Sequence, residues 1–373
     1  MQLETIKTPS LIVDYQRTKR NAERIAARAR ELNVALRPHV KTHRSLEIAR
    51  LQTEKTFGGI MVSTLSEAGF FAKHGFSDIT YGVPIERGKF AEVLEIAQNI
   101  EKFAVLTDDP ETVAELNRKA RSENVRLDVF LKVDVGAHRC GVEPQTPEAL
   151  EIPRQIGDSS NLNFAGILTH AGQSYGADSA EKLLAVARAE RDLMRDLAER
   201  LRAEGLPVPV VSIGSTPTMS AIDRLEGVSE FRCGNYIFYD AFQATLGSCS
   251  FADCALNVLA AVVHRDAARQ RIVVDAGAVA LSKDRGAVGL DPACGYGRVY
   301  DLDGNDLNLR IESLSQEHGE ISVPDEKTFN SLKVGARVRI LANHSCLTAL
   351  QHSHYHVLSD GKIVDRWKIN RGW

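Results

Sequence analysis

The sequence predicts an α/β fold, in which a TIM-type (β/α)8 barrel precedes a C-terminal, mainly antiparallel β domain. Strand-like and helical segments alternate about eight times over the first two thirds of the chain, as such a barrel requires. Polar residues gather where those strands end, which is where such barrels carry their sites. After about residue 245, short strand-like segments follow one another with Gly and Asp between them. A doubly wound open sheet is the alternative for the first part.

The barrel strands should be apolar and rich in β-branched residues, because a parallel sheet in a barrel is covered on both faces. Segments of this kind lie at residues 35–41, 57–62, 78–81, 103–106, 127–133, 164–169, 208–213 and 230–233. Helices are predicted where apolar residues recur at helical spacing, most clearly at residues 17–32, 110–123 and 179–204.

The second part is expected to form a β domain. Its strands are predicted at residues 256–263, 271–275, 336–341, 353–358 and 362–368. An Asp360-Gly361 hairpin turn joins the last two. We place the barrel at residues 1–245 and the β domain at residues 246–373. Leu11-Ile12-Val13 is a short strand outside the eight, so residues 1–13 are assigned to either domain.

Composition narrows the possible functions. A net charge of -3 gives no reason to expect a nucleic acid or an anionic membrane as partner. No apolar run is long enough to span a bilayer, and the first residues lack the apolar core of a signal peptide. The six cysteines are scattered and form no C-x-x-C pair, which indicates reduced thiols in the cytoplasm.

Lys41 is the candidate catalytic residue. It ends the first predicted barrel strand, and Arg37, His39 and His43 flank it. An amine there can form a Schiff base with an aldehyde, and nearby positive charge favours its neutral, nucleophilic form. A surface lysine in a polar loop is the alternative.

Two small-residue turns follow the seventh and eighth predicted strands, where such barrels often bind phosphate. Ser215 and Thr216 follow a glycine and precede a predicted helix, so their backbone N–H groups suit an anion. Gly234 and Asn235 form the second turn, in which a ligand can approach the backbone. Each turn alone is equally an ordinary cap or tight turn. A phosphate site opposite a lysine indicates pyridoxal 5′-phosphate.

The loops after the fifth and sixth strands supply groups for the cofactor ring. Arg139 could contact the ring hydroxyl or a substrate carboxylate, the latter in a bidentate manner. Tyr175 could meet the pyridine nitrogen, and Gln173 offers an amide. His170 is either part of this set or a satisfied histidine at a strand end.

His344 and Cys346 are the candidate metal ligands. On an extended strand, residues two apart point to one face, and an imidazole with a thiolate suits zinc. A buried free cysteine is the alternative. His352, His354 and His356 also alternate, and we interpret at least two of them as one polar face of a strand.

The chain resembles the D-threonine aldolase and eukaryotic-type D-serine dehydratase family, which are fold-type III pyridoxal phosphate enzymes with an alanine-racemase-like barrel. The resemblance is carried, in this order, by Pro-His-Val-Lys-Thr-His, Asp-Val-Gly-x-x-Arg-Cys-Gly, His-x-Gly-x-Ser-Tyr, Gly-Ser-Thr-Pro-Thr and His-x-Cys. It implies that Lys41 holds the cofactor and that His344 and Cys346 hold a metal. It also implies a homodimer. In such enzymes His-x-Cys is typical of the dehydratases and His-x-Asp of the aldolases.

The expected activity is therefore zinc-dependent elimination of water from a 3-hydroxy-D-amino acid such as D-serine, D-threonine or 3-hydroxy-D-aspartate. A metal-dependent aldolase, with zinc, manganese or magnesium, is the first alternative. An amino-acid racemase is the second, and it would need an opposing acid such as Tyr296, Tyr300 or Tyr355. A non-catalytic cofactor carrier is the third. Arg139 and Arg285 are candidates for a second substrate carboxylate.

Overall fold

The computed structural model describes residues 2–372, and its contacts group them into two compact units. The barrel unit comprises Glu23–Gly234, and the β unit comprises Asn235–Arg371 together with the chain up to Ala22. The division after Gly234 lies earlier than the boundary that we predicted at residue 245. The reason is that the segment after Gly234 already bonds within the β unit, where Ala255 N donates to Phe238 O.

The strands of the described residues are β1 Ser10–Asp14, β2 Ala35–Leu36, β3 Ile60–Val62, β4 Asp78–Pro84, β5 Lys102–Thr107, β6 Leu127–Lys132, β7 Leu162–Leu168, β8 Val210–Ile213, β9 Glu230–Phe231, β10 Leu256–Asp266, β11 Arg271–Val274, β12 Gly297–Tyr300, β13 Asp306–Arg310, β14 Ser313–Leu314, β15 Gly319–Ser322, β16 Arg337–Ala342, β17 His354–Ser359 and β18 Lys362–Lys368. The helices are α1 Tyr15–Glu31, α2 Leu46–Thr53, α3 Leu65–Lys73, α4 Phe90–Asn99, α5 Pro110–Ser122, α6 Glu148–Gly157, α7 Ala180–Ala203, α8 Thr216–Ala221, α9 Ala241–Thr245, α10 Ala278–Leu281, α11 Glu326–Ser331 and α12 Ser345–Ala349. Short 3-10 turns connect several of them.

The barrel unit contains one parallel sheet of eight strands in the order β2-β9-β8-β7-β6-β5-β4-β3. A parallel bridge between His39 and Met61 joins its two ends. Apolar side chains of these strands are buried, and one cluster comprises Met61, Ala104, Leu106, Phe130 and Leu168. The prediction of a TIM-like barrel is confirmed.

Polar N-cap residues begin several barrel helices, namely α3, α5, α7 and α8. Asp109 accepts a hydrogen bond from Thr112 N, and Pro110 occupies the first turn of α5. Ser179 accepts from Lys182 N at the start of α7. The side chains that α7 buries are apolar except for Glu190, which is fully buried, and Arg191, which is 7% exposed. A buried carboxylate at this position bears on the site described below.

The β unit is built on a mainly antiparallel sheet in the order β13-β12-β16-β10-β1-β17-β18. The N-terminal strand β1 lies between β10, to which it is antiparallel, and β17, to which it is parallel. Strands β11, β14 and β15 extend the sheet from β10. The sequence did not predict β12 to β15, because these strands are short and contain Gly, Asp and Arg.

No helix among residues 2–372 combines the length and the apolar character needed to cross a membrane.

Candidate active site

Lys41 lies in a 3-10 turn, Val40–Thr42, and not at the end of a strand. The predicted strand 35–41 was too long, because β2 ends at Leu36 and Pro38 follows it. Proline has no N–H to continue a ladder. The turn is closed by the bond from His43 N to Val40 O, at 3.1 Å. The side chain of Lys41 is exposed within this structure.

The residues expected to surround Lys41 with positive charge do not do so. The guanidinium of Arg37 pairs with Asp78 at 2.6 Å and Glu230 at 2.7 Å. His43 is fully buried; its Nδ1 accepts from Ser45 N and its Nε2 lies 2.8 Å from the Gln52 side-chain oxygen. Burial lowers the pKa of His43 to about 4, so the ring is neutral near pH 7.

Other cationic side chains lie near the predicted ring contacts. Two of them, Lys132 and Arg232, were not predicted from the sequence. Burial lowers the pKa of Lys132 to about 8 and that of Arg232 to about 10, with smaller contributions from neighbouring charges. Together with Lys41 and Arg139, these cations lower the pKa values of His39 and His170, for which burial is the largest cause. Their positions in the sequence could have indicated them, because each is a charged residue at the end of an apolar strand. Lys132 is the last residue of β6, and Arg232 directly follows β9.

His170 follows β7 by two residues and is held by the next strand end. Its Nδ1 lies 2.9 Å from Gly214 O, so the neutral ring donates from Nδ1. Burial lowers its pKa to about 3, and the charge of Lys41 is the next cause. The ring of Tyr175 lies 6.3 Å from the His170 ring, centroid to centroid. These two predicted ring contacts therefore lie together.

The loop after β6 is shaped by Asp134. Its Oδ1 accepts hydrogen bonds from the backbone N–H groups of Gly136, Ala137 and His138. Arg139 follows directly and is exposed, and no acidic partner pairs with it in the part of the chain that the structure describes. Gln173 joins this loop to the next one, because its Nε2 donates to Val135 O at 2.7 Å.

Glu190 forms hydrogen bonds with the backbone at the first predicted phosphate turn. Its Oε1 accepts from Gly214 N at 2.9 Å and from Ala171 N at 3.2 Å. Ser215 caps α8 through Thr218 N, and its hydroxyl lies 3.0 Å from the Ser174 hydroxyl. The turn containing Ser215 and Thr216 is therefore rigid.

Gly234 ends the barrel unit at a position where a side chain has no room. A Cβ there would lie 2.5 Å from His39 O and 3.0 Å from the Thr42 hydroxyl. The backbone of Gly234 therefore packs directly against the backbone of His39. The predicted partner Asn235 belongs to the β unit, where its Nδ2 donates to Asp240 at 2.7 Å and to Ser345 at 3.0 Å.

This arrangement fits an anionic cofactor with a polar ring. Lys41, Lys132, Arg139 and Arg232 supply positive charge, and the histidines among them are neutral. The Gln173 side-chain oxygen is buried without a hydrogen-bond partner in the described residues. A ligand with a phosphate and ring donors would satisfy both features.

His344 and Cys346 are close together, but not on a strand as predicted. Strand β16 ends at Ala342, His344 is the extended N-cap residue of α12, and Cys346 lies in the first turn of that helix. Strand β16 ends one residue beyond the predicted strand 336–341, so both residues lie outside it, and two-residue spacing alone does not distinguish an extended strand from the start of a helix. Asp284 Oδ2 lies 2.6 Å from His344 Nδ1.

His344 is hydrogen-bonded to the Asp284 carboxylate and to Cys346, and both contacts change its pKa. Burial lowers the pKa of His344, but hydrogen bonds to Asp284 and Cys346 outweigh it and raise the pKa to about 11. Asn235 Nδ2 lies 3.6 Å from Cys346 Sγ. Within residues 2–372 no group of three or more His, Cys, Asp or Glu side chains is arranged to hold a metal ion. The donors nevertheless fit zinc, because an imidazole oriented by a carboxylate and a thiolate are both zinc ligands.

The histidine row 352–356 is not a ligand cluster. His352 Nε2 donates to Ala280 O at 3.0 Å. His354 contacts Ser353 and Arg366, and His356 lies on the same strand β17. Burial and the charge of Arg366 lower the pKa of His356.

A parallel barrel with a lysine turn, an anion turn and clustered cations defines a barrel enzyme of the pyridoxal phosphate class. Two family models match the chain: the alanine racemase N-terminal domain over residues 13–241 and the putative serine dehydratase domain over residues 255–358. The chain belongs to this alanine-racemase-like, fold-type III family, in the branch that contains D-serine dehydratases and D-threonine aldolases. The resemblance predicted from the motifs is confirmed, and these relatives are lyases.

Two curated relatives and two solved structures illustrate the range of the family. D-threo-3-hydroxyaspartate dehydratase of Delftia sp. is 37% identical over 100% of this chain and 99% of its own length. A solved structure of a D-threo-3-hydroxyaspartate dehydratase, a cysteine-to-alanine variant in the metal-free form, has a TM-score of 0.96 at 37% identity and covers 100% of both chains. D-serine dehydratase of Dictyostelium discoideum is 34% identical over 100% of this chain and 98% of its own. D-threonine aldolase of Filomicrobium marinum has a TM-score of 0.86 at 25% identity, over 99% of this chain and 97% of its own.

Proposed function

We propose that this protein is a pyridoxal phosphate- and zinc-dependent dehydratase of 3-hydroxy-D-amino acids such as D-serine, D-threonine and 3-hydroxy-D-aspartate. The observation that carries the proposal is the pairing of His344 with Cys346, oriented by Asp284. Two relatives that align over the whole chain are dehydratases of such substrates, at 37% and 34% identity.

Lys41 would carry the cofactor and then move a proton. Pyridoxal phosphate supplies an electron sink for the pair left when a Cα–H bond breaks. The amine of Lys41 takes the Cα proton as general base. The cations Lys132, Arg139 and Arg232 favour its neutral form, since positive charge nearby disfavours protonation.

The remaining barrel residues would bind and orient the cofactor. The backbone at Ser215 and Thr216, and that at Gly234 and Asn235, would hold the phosphate. Tyr175 would face the pyridine nitrogen, and His170 would hold one side of the ring through Nε2, which is a hydrogen-bond acceptor because Nδ1 donates to Gly214 O. Gln173 and Arg139 would reach the polar ring substituents.

His344 and Cys346 would act on the leaving group. A zinc ion held by them supplies a Lewis acid for the β-hydroxyl, since hydroxide is a poor leaving group. Asp284 fixes the imidazole, so that Nδ1 donates to the carboxylate and Nε2 is the metal-binding atom. Support for a metal comes also from the related dehydratase structure described as a metal-free form.

The aldolase reaction is the alternative that a relative supports, at 25% identity. It cleaves the Cα–Cβ bond, and the β-hydroxyl is then deprotonated and not expelled. The second proposed metal ligand distinguishes the two reactions. It is a cysteine here, Cys346, and this favours dehydration. Racemisation would need an opposing acid, for which Tyr296, Tyr300 and Tyr355 stay candidates.

Incubation with D-threonine, the cofactor and zinc tests the proposal. Dehydration yields 2-oxobutyrate and ammonia, whereas retro-aldol cleavage yields glycine and acetaldehyde. Glycine and acetaldehyde as the main products would overturn the proposal, as would formation of L-allothreonine, the product of inversion at Cα alone, without ammonia.

We also propose a homodimer in the cytoplasm. None of the six cysteines forms a disulfide in the part of the chain that the structure describes, which suits a reducing compartment. Sedimentation of the purified protein would give the oligomeric state directly.

A further inference from the structure

A buried ion pair lies behind the turn that carries Lys41, and the proposed reaction gives it no role. Glu67, on α3, is 0% exposed, and Arg44 is 7% exposed. Arg44 Nε lies 2.6 Å from Glu67 Oε1. Removing two charges from water costs more than their attraction often repays, so such a pair is poorly explained by stability alone.

Arg44 is tied directly to the Lys41 turn. Its backbone N–H donates to Val40 O at 2.9 Å, which encloses Lys41 in the turn. Its φ angle is +48°, in the left-handed region that side chains other than glycine and asparagine seldom adopt. The contact with Glu67 holds a residue in this unfavourable conformation, and the Lys41 turn depends on that conformation.

The second oxygen of Glu67 contacts the segment on the N-terminal side of Lys41 through Ser63. Glu67 Oε2 accepts from Ser63 N at 2.8 Å, directly after β3. The Ser63 hydroxyl lies 3.4 Å from His39 Nε2, and His39 precedes Lys41 by two residues. One carboxylate thus connects both sides of the Lys41 turn to the end of β3.

Capping of α3 does not account for this carboxylate. Thr64 is the N-cap, and its hydroxyl accepts from Glu67 N at 3.0 Å. A glutamine at position 67 could accept from Ser63 N equally well. Capping therefore requires the oxygen atoms but not the negative charge, and a separate role for the charge can be measured.

The charges around Lys41 are mostly positive. His39 and His170 are neutral, because burial and nearby cations lower their pKa values. Burial raises the pKa of Glu67, but Arg44, the Ser63 N–H and Lys41 all act against it and favour the anion. The charged groups that face the turn from the surrounding elements are Arg44 and Glu67 from the side of α3, and Lys132, Arg139 and Arg232 from the ends of β6 and β9.

We propose that Glu67 is a positioning residue for Lys41, which fixes the turn that carries the amine and supplies a negative charge against the surrounding cations. This inference rests on the proposed function, since it concerns the lysine that would carry the cofactor. Its consequence is that the charge of Glu67, and not only its shape, sets how readily the Lys41 nitrogen keeps a proton.

The test is a spectroscopic pH titration of the cofactor-loaded protein. The midpoint at which the absorbance band of the bound cofactor changes with pH would be compared in the wild type, Glu67→Gln and Glu67→Asp. Glu67→Gln should lower the midpoint by about one pH unit, because a buried negative charge near the nitrogen is lost. Glu67→Asp keeps the charge, so its midpoint should stay within about 0.3 unit of the wild type. Glu92→Gln, an exposed change on α4, serves as the matched control and should leave the midpoint unchanged.

Equal shifts in Glu67→Gln and Glu67→Asp, or no shift in Glu67→Gln, would overturn the inference. Should Glu67→Gln not fold, Glu67→Ala serves as the neutral variant: a midpoint lowered by about one pH unit supports the inference, and an unchanged midpoint overturns it. A wild type without any cofactor band would instead contradict the proposed function, so the two failures are distinguishable.

Discussion

Asp284 Oδ2 lies 2.6 Å from His344 Nδ1, and this contact determines which ring nitrogen can bind a metal. A carboxylate accepts, so Nδ1 carries a proton, and a metal ion would displace the second proton that the raised pKa of His344 keeps on Nε2. His344 Nε2 and the Cys346 thiolate are then the two protein donors of the candidate site. The carboxylate and the imidazole lie 60 residues apart in the sequence, so the contact exists only in the folded β unit.

Asp284→Asn should weaken metal binding without displacing the ligands. An amide is a poorer acceptor for the imidazole N–H, and loss of such an orienting carboxylate typically lowers metal affinity about 10–100-fold. Zinc titration against a competing chelator measures the change. Asp303→Asn, an exposed change in the same unit, should bind zinc as the wild type does. Equal affinity of Asp284→Asn and the wild type would contradict the assignment of His344 as a ligand.

Gly234→Ala should disturb the cofactor turn. The added methyl group would lie 2.5 Å from His39 O, and that oxygen is backbone and cannot rotate away. Overpacking of this kind costs about 1–3 kcal/mol. Cofactor affinity should fall together with the unfolding temperature. In Gly69→Ala the added atom meets nothing within 4 Å, so that helical variant is the control for both measurements. A Gly234→Ala protein with wild-type stability and affinity would show that the turn is not packed as described.

The protein should lose stability in mild acid through its buried histidines. Burial lowers the pKa of His43 to about 4, below the unfolded value of 6.5, so its contribution is complete above pH 6.5 and is lost as the pH falls towards 4. Between neutral pH and about pH 5.5, His43 should account for a loss of about 1–1.5 kcal/mol. Urea unfolding of the wild type and His43→Gln at both pH values measures this share, which the variant should lack. His318→Gln, on the surface, should keep the wild-type pH dependence, and an unchanged dependence in His43→Gln would contradict the buried neutral ring.

Lys41→Ala should abolish the absorbance of the bound cofactor near the edge of the visible range. The band requires covalent attachment through an amine, and Lys41 lies in the turn that the neighbouring cations face. Spectra of the purified proteins after incubation with the cofactor give the answer. Lys73→Ala, an exposed change at the end of α3, is the matched control and should keep the band. A band that persists in Lys41→Ala would remove the basis of the proposed function.

The sequence was sufficient for the barrel because hydrophobic periodicity is a local property. All eight barrel strands were predicted, with errors mainly at their ends, as at β2, which ends at Leu36 and is followed only by the bridge at His39. The order of polar residues at strand ends also follows from barrel geometry, and this placed Lys41 and Ser215 near their observed turns.

What could not be predicted depends on contacts that are distant in the chain. Arg37 was assigned to the lysine, but Asp78 and Glu230 hold it elsewhere. Lys132 and Arg232 resemble ordinary residues at strand ends until burial shows their charges to be part of the site. Glu67 and Asp284 carry no sequence signal at all, because their roles come from Arg44 and His344, their partners in the folded chain.

The central claim is that Lys41 moves the Cα proton and that the metal pair determines what leaves from Cβ. Nuclear magnetic resonance of D-serine in deuterated water measures both steps, as Cα deuterium exchange and as pyruvate formation. His344→Ala, or the wild type after chelation, should exchange the Cα proton but release no pyruvate, whereas Lys41→Ala should do neither. Pyruvate formation at the wild-type rate without the metal pair, or loss of exchange together with pyruvate on chelation, would contradict this division of roles.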